Sequence, residues 1–229
     1  MHDTALDFGA RFFNTYLKGV SGQTFVEIGA QDVNGSLRSV APTQNTYVGV
    51  DFVEGKGVDV VLTDPYTLPF ADASVDVCLS SSCFEHSEFF WLLFNEILRI
   101  VKPHGLIYLN VPSNGHFHRY PVDCWRFFPD SGMALERWAR RSGFKPTLLE
   151  TFTGRQKNDV WNDCVQVFVK DEAYAAQYPN RIQDTLTEYT NGLVLGETDF
   201  RNFTHLQEDQ ENSLGKVVKK KLTALGGKR

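Results

Sequence analysis

The chain has 229 residues, 42% of them hydrophobic, which suits one ordinary domain with an appendage and a sizeable buried core. Its net charge of -5 argues against a nucleic-acid partner, which needs a basic face. No run of about 18 apolar residues predicts a membrane span, and the N-terminus MHDTALDFGARFF lacks the basic-then-apolar pattern of a signal peptide. The cysteines, Cys78, Cys83, Cys124 and Cys164, show no short paired spacing, so reduced thiols in a cytoplasmic protein are the simple expectation, with no metal ion.

In chain order, residues 4–18 place Leu6, Phe8, Phe12, Phe13, Tyr16 and Leu17 near helical spacing, and Gly19 with Ser21-Gly22 ends that helix. A first strand, Phe25–Ile28, runs into Gly29 and a polar loop, and Gly35-Ser36-Leu37 predicts the start of a helix. A strand breaking into a glycine loop and then a helix is a ligand cradle, because the backbone comes close and free N–H groups face the ligand. Gln31 and Val33 stand where related loops carry later glycines. The second strand, Tyr47–Val50, ends in Asp51. An acid there, about 20 residues past the glycine loop, is placed to accept both hydroxyls of a ribose diol, with Phe52 beside a purine face.

The third strand, Val58–Leu62, leads to Asp64, read either as the acceptor of an adenine amine or as a turn residue before Pro65. The fourth, Val75–Ser80, ends in three serines that open space at the carboxyl edge of the sheet, where α/β proteins bind ligands. Cys83-Phe84-Glu85-His86 follows, then a helix over residues 88–101 and a fifth strand, Leu106–Val111. After Pro112 comes a long loop, PSNGHFHRYPVDCWRFFPD, dense in aromatic and charged residues and starting on the ligand side, a pattern that points to function. A helix over 130–142 and two strands, Thr147–Phe152 and Cys164–Val169, complete the pattern. The division expected is a domain over 1–170 and a helical or partly disordered extension over 171–229. In the extension, Leu214, Val217, Val218, Leu222 and Leu225 with Lys216–Lys221 outline a basic amphipathic helix suited to peripheral membrane or partner contact.

Four stretches, FVEIGAQDVNGSLR, YVGVD, LTDPYTLPFADASVDVCLSSSCFEH and LFNEILRIVKPHGLIYLNVPSNG, resemble class I S-adenosylmethionine-dependent methyltransferases, nearest the ubiquinone-methyltransferase-like type. The resemblance implies an α/β, Rossmann-like, seven-stranded sheet of order 3-2-1-4-5-7-6 with strand 7 antiparallel and helices on both faces. It implies S-adenosyl-L-methionine as cofactor, with Glu27 and Gly29 at the methionine end, Asp51 on the ribose, Phe52 beside the adenine, Asp64 on its amine, and Ser80 and Ser81 near the methionine moiety. DVNGS and HRYPVDCWRF also look like a subgroup found beside glycosyltransferases in polysaccharide biosynthesis, which suggests O-methylation of a sugar or glycan; a lipid, another metabolite or a non-catalytic role is the alternative.

A hydroxyl is a poor nucleophile, so O-methylation calls for a general base. His86 is the first candidate, with a cofactor-orienting helix-start role as its alternative, and His118 is the second. His116, Arg119, Tyr120, Asp123, Trp125, Arg126 and Trp161 suit a planar, polar acceptor, by stacking on a sugar and by bidentate contact to phosphate or carboxylate. Trp125 and Trp161 equally suit core anchoring. Asp123, Asp159 and Asp163 have no recognised ligand spacing for magnesium. A homodimer is one arrangement open to the chain.

Overall fold

A computed structural model describes residues 2–210. The elements are α1 (Asp3–Tyr16), β1 (Thr24–Ile28), β2 (Thr46–Asp51), β3 (Val60–Val61), β4 (Val75–Ser81), α2 (Phe90–Ile100), β5 (Val101–Pro112), α3 (Asp130–Arg141), β6 (Thr147–Gly154), β7 (Asp163–Val169) and β8 (Tyr189–Val194). The sheet order is β3-β2-β1-β4-β5-β7-β6-β8. The first five strands are mutually parallel, and β7 runs antiparallel to both β5 and β6. The expected order therefore holds, with one strand more.

The extra strand is β8, antiparallel to β6 at the edge. Residues 171–210, assigned from sequence to an extension, thus reach back onto the sheet. The buried Glu150 carboxylate fastens them there, accepting hydrogen bonds from the Ile182 and Gln183 N–H groups and from Tyr16 Oη. The basic amphipathic stretch expected over 214–225 lies outside the described residues.

Each face of the sheet has its own apolar layer. On one side α1 buries Phe8, Phe12, Phe13 and Tyr16 against Phe25, Leu79, Tyr108 and Val167. On the other, α2 and α3 bury Phe94, Ile97, Leu98, Leu135 and Ala139 against Val26, Cys78, Ile107 and Phe168. Each fully buried large side chain contributes about 1.5–3 kcal/mol. Strand β4, buried along its whole length, reads as the continuous apolar run of a doubly covered parallel strand.

The helix expected after the glycine loop is only a 3-10 turn, Leu37–Val40, capped by Ser36 Oγ accepting from the Arg38 N–H. Pro42 follows two residues later, and that face is already filled by α1, which packs on this turn: a Cβ at Gly9 would lie 2.3 Å from Leu37 Cδ2. Among the described residues no helix is long and apolar enough to cross a membrane.

Candidate active site

The carboxyl ends of β1, β2 and β4 open into a cavity of about 500 Å³, lined by Glu27, Gly29, Gln31, Asp51, Phe52, Ser81, Cys83, His86 and Tyr120 among others. That volume suits a nucleoside-sized ligand. A second cavity, about 230 Å³, lies between the Ser113-Asn114 turn and residues 200–208, away from the glycine loop. The larger one occupies the position that the topology of an open parallel sheet favours.

Gly29 is at φ +77, and a Cβ there would come within 2.5 Å of Cys83 Cβ, so the close passage of β1's end past the β4 loop requires glycine. Glu27 lies beneath the cavity, where burial pushes its carboxyl up to about 7 against the hydrogen bond donated by Tyr47 Oη at 2.7 Å. Asp51 accepts from the Phe52 N–H at 2.8 Å and the Gln31 N–H at 3.2 Å, which fixes its carboxylate at the cavity wall. Phe52, 46% exposed, presents an apolar face beside it.

Two residues carried over from the resemblance lie elsewhere. Asp64 is exposed and does not itself line the cavity, although its neighbours Thr63 and Pro65 do; its oxygens accept from the Tyr66 N–H and Thr67 Oγ1, as in a turn. Ser80 faces away and donates to the Ile28 carbonyl, whereas Ser81 lines the cavity with a hydroxyl that has no partner among the described residues.

The long loop after β5 folds back over this opening. Its Cys124 and Trp125 N–H groups donate to the Glu85 carbonyl, and Tyr120 Oη donates to Gln31 Oε1 at 2.7 Å. Gln31, the departure from glycine, thus ties the first loop to the last. Tyr120, Pro121 and Val122 line the cavity opposite Gly29, a contact between loops about 90 residues apart that no local pattern reveals.

His86 stands where the two loops meet. Its Nδ1 donates to the Val122 carbonyl at 2.5 Å, leaving Nε2 with a lone pair, and burial lowers its pKa, so the ring is neutral. Glu85 is 1% exposed, and burial pushes its carboxyl up to about 8. His118 packs edge-on against His86, ring centroids 4.9 Å apart. Asp123 organises the loop: it accepts from the His118 N–H at 2.7 Å and from both terminal nitrogens of Arg126, whose hydrogen bonds pull its carboxyl down to about 2. Asp123 and Arg126 are therefore engaged with each other.

Trp161 is buried, stacked on His2 and packed against His116 and His118; it anchors the loop from below and lines no part of the larger cavity. Trp125 is half-exposed and its indole N–H donates to the Ser87 carbonyl. His116 and Arg119 are exposed, and Arg119 makes no ion pair among the described residues. The three aspartates weighed for magnesium are separated: Asp163 is buried against Thr4 and His2 at the start of α1, and Asp159 is exposed and bonds the Val160 N–H.

Residues 13–109 match the Methyltransf_11 family, described as a methyltransferase domain. A protein of Mycolicibacterium gilvum named an uncharacterized methyltransferase is 33% identical over 120 residues, 52% of this chain; that match spans 43% of the relative, less than half of its length. The 1,6-didemethyltoxoflavin-N1-methyltransferase of Burkholderia thailandensis, solved with 1,6-didemethyltoxoflavin and S-adenosylhomocysteine, superposes with a TM-score of 0.56 at 16% identity, covering 74% of this chain and 80% of that one. A SAM-dependent methyltransferase of Methanosarcina mazei gives 0.53 at 13%, covering 70% and 97%. Residues 13–109 are thus similar to methyltransferase domains, and the sheet has the fold of solved S-adenosylmethionine-dependent methyltransferases.

Proposed function

We propose that this chain transfers the methyl group of S-adenosylmethionine to a hydroxyl of a small polar acceptor, a sugar or glycan intermediate. The observation that carries the reading is one cavity lined both by Glu27, Gly29, Asp51 and Phe52 and by His86. Glu27 and Gly29 take the methionine end, Ser81 lies beside it, Asp51 accepts from the ribose diol and Phe52 covers the adenine. Asp64, occupied by its own turn, is given no part.

The sulfonium already activates the methyl group, so the protein has to align the acceptor oxygen with the methyl carbon and exclude water. The loop over the cavity does both through Tyr120, Pro121 and Val122. His86 supplies the lone pair at the acceptor end, which meets the acceptor's proton directly or holds a cation that acidifies it. Arg119 and Trp125, both exposed on this loop, suit the anionic and planar parts of a phosphorylated sugar. The four free cysteines fit a cytoplasmic setting.

Calorimetry with S-adenosylhomocysteine tests the cofactor assignment. The wild type is expected to bind with micromolar affinity. Asp51→Ala removes two charge-assisted hydrogen bonds and should weaken binding by about 10- to 100-fold. A folded wild type that binds neither S-adenosylhomocysteine nor S-adenosylmethionine would overturn the assignment.

A further inference from the structure

Glu85, His86 and His118 come together at the junction of the β4 and β5 loops. One carboxylate oxygen and one nitrogen from each ring lie within 4.8 Å of one another. Three features give this trio the character of a ligand set. First, both imidazoles have hydrogen-bond acceptors at Nδ1. His86 Nδ1 meets only the Val122 carbonyl. His118 Nδ1 lies 3.2 Å from the His116 carbonyl and 3.3 Å from Asp123 Oδ2. All of these neighbours are acceptors, so each Nδ1 carries the hydrogen and each Nε2 is left with its lone pair, the tautomer that outer partners impose on metal-binding histidines.

Second, Glu85 is 1% exposed, and its Oε2 has no hydrogen-bond partner among the described residues. An orphaned buried carboxylate oxygen is costly. Its nearest cationic candidate, His86 Nε2, is 3.7 Å from Oε1, too far for a hydrogen bond. The trio therefore does not satisfy itself. Third, the parts are braced. The Glu85 carbonyl accepts from Cys124 and Trp125, Asp123 holds the His118 backbone, and Arg126 locks Asp123.

We propose that Glu85, His86 and His118 form a binding site for a divalent transition-metal ion of the zinc, cobalt or iron kind. Two imidazole nitrogens and one carboxylate oxygen are a donor set these ions take while keeping positions for other ligands. His86 also lines the cofactor cavity, so an ion held there sits at the acceptor end. Its use in catalysis rests on the methyltransferase reading, whereas the site itself does not. In that use the ion draws electrons from the acceptor hydroxyl and lowers its pKa. The O–H proton passes to solvent, and the oxygen lone pair forms the new bond to the methyl carbon. The carbon–sulfur bond breaks with its electron pair staying on sulfur, which leaves S-adenosylhomocysteine.

The test uses the untagged full chain after chelator treatment. It is titrated with Zn²⁺ by calorimetry and with Co²⁺ by visible absorption. One ion per chain is expected, with Co²⁺ bands of nitrogen and oxygen ligation. His86→Ala, His118→Ala and the near-isosteric Glu85→Gln should each weaken uptake at least as much as losing an outer partner does, about 10- to 100-fold. Cys83→Ser and Cys124→Ser should leave it unchanged. Circular dichroism confirms that each variant is folded, and the wild-type cobalt spectrum is informative even if one is not. The proposal is overturned if folded wild type takes up no ion, if both histidine variants bind like wild type, or if thiolate-to-cobalt charge transfer appears. S-adenosylhomocysteine titrated into the same samples separates the two assignments: loss of its binding with the ion retained sinks the cofactor reading alone, and the reverse sinks the ion site alone.

Discussion

Gln31 shows how one residue changes the meaning of a loop. Glycine at its position would leave the backbone bare; here the side chain reaches across the opening to Tyr120 Oη while its own N–H donates to Asp51. Gln31 thus couples the Asp51 carboxylate to the loop over the cavity. One exposed neutral hydrogen bond contributes about 0.5–1.5 kcal/mol. Tyr120→Phe is therefore expected to speed S-adenosylhomocysteine release by about two- to tenfold with little change in thermal stability. Stopped-flow displacement measures it, and a wild-type release rate would show that this contact does not hold the loop. Gly115 poses a different constraint. At φ +102, a Cβ would fall 1.9 Å from the Trp161 ring, so Gly115→Ala should push the loop off its buried anchor.

At the scale of elements, the segment after β3 shows what a family-like motif does physically. Arg99, in the last turn of α2, donates to the carbonyls of Leu68 and Phe70 and pairs with Glu96 and Asp72. Glu96 in turn accepts from the Leu68 N–H. The Leu-Pro-Phe stretch is thereby clamped to a helix about 30 residues away, and neither Arg99 nor Glu96 lines the cavity. Arg99→Ala should cost about 1.5–3 kcal/mol, the range for hydrogen bonds to a charged donor, with the exposed pair to Asp72 adding little. A lower urea midpoint with unchanged cofactor affinity at low temperature is the expected result; unchanged stability would place the clamp elsewhere. The same motif carries much of the resemblance to methyltransferases, so part of that resemblance marks scaffold.

Over the whole molecule, the buried carboxyls set a pH dependence. Burial pushes Asp163 up to about 7, although Thr4 Oγ1 donates to it at 2.6 Å. An unfolded aspartate titrates near 3.9. The folded state thus holds a proton that the unfolded chain has lost, and the stability this contributes, full below pH about 4, is lost as pH rises through about 7. Glu27 behaves in the same sense. Thermal midpoints should therefore fall between pH 5 and 8, and Asp163→Asn, neutral throughout, should flatten that slope. A profile equally steep in the variant would remove Asp163 as a cause. Because Asp163 joins β7 to the start of α1, the loss would be felt between the sheet and its first covering helix.

The sequence by itself determined the parallel α/β class, the glycine passage at Gly29 and the placement of Asp51 at the tip of β2. These depend on short-range periodicity and on local rules for glycine and strand ends, which operate within a few residues. The tertiary structure alone decided where reach and burial mattered. Asp64 spends both oxygens on its own turn, Trp161 lies beneath the loop, and β8 joins the sheet edge. His86 and His118, 32 residues apart, meet over a buried Glu85 only because the post-β5 loop folds back onto the end of β4. Local spacing specifies which way a chain segment turns, but which side chains then face one another is set by the register of distant strands and by which polar groups burial leaves in need of a partner.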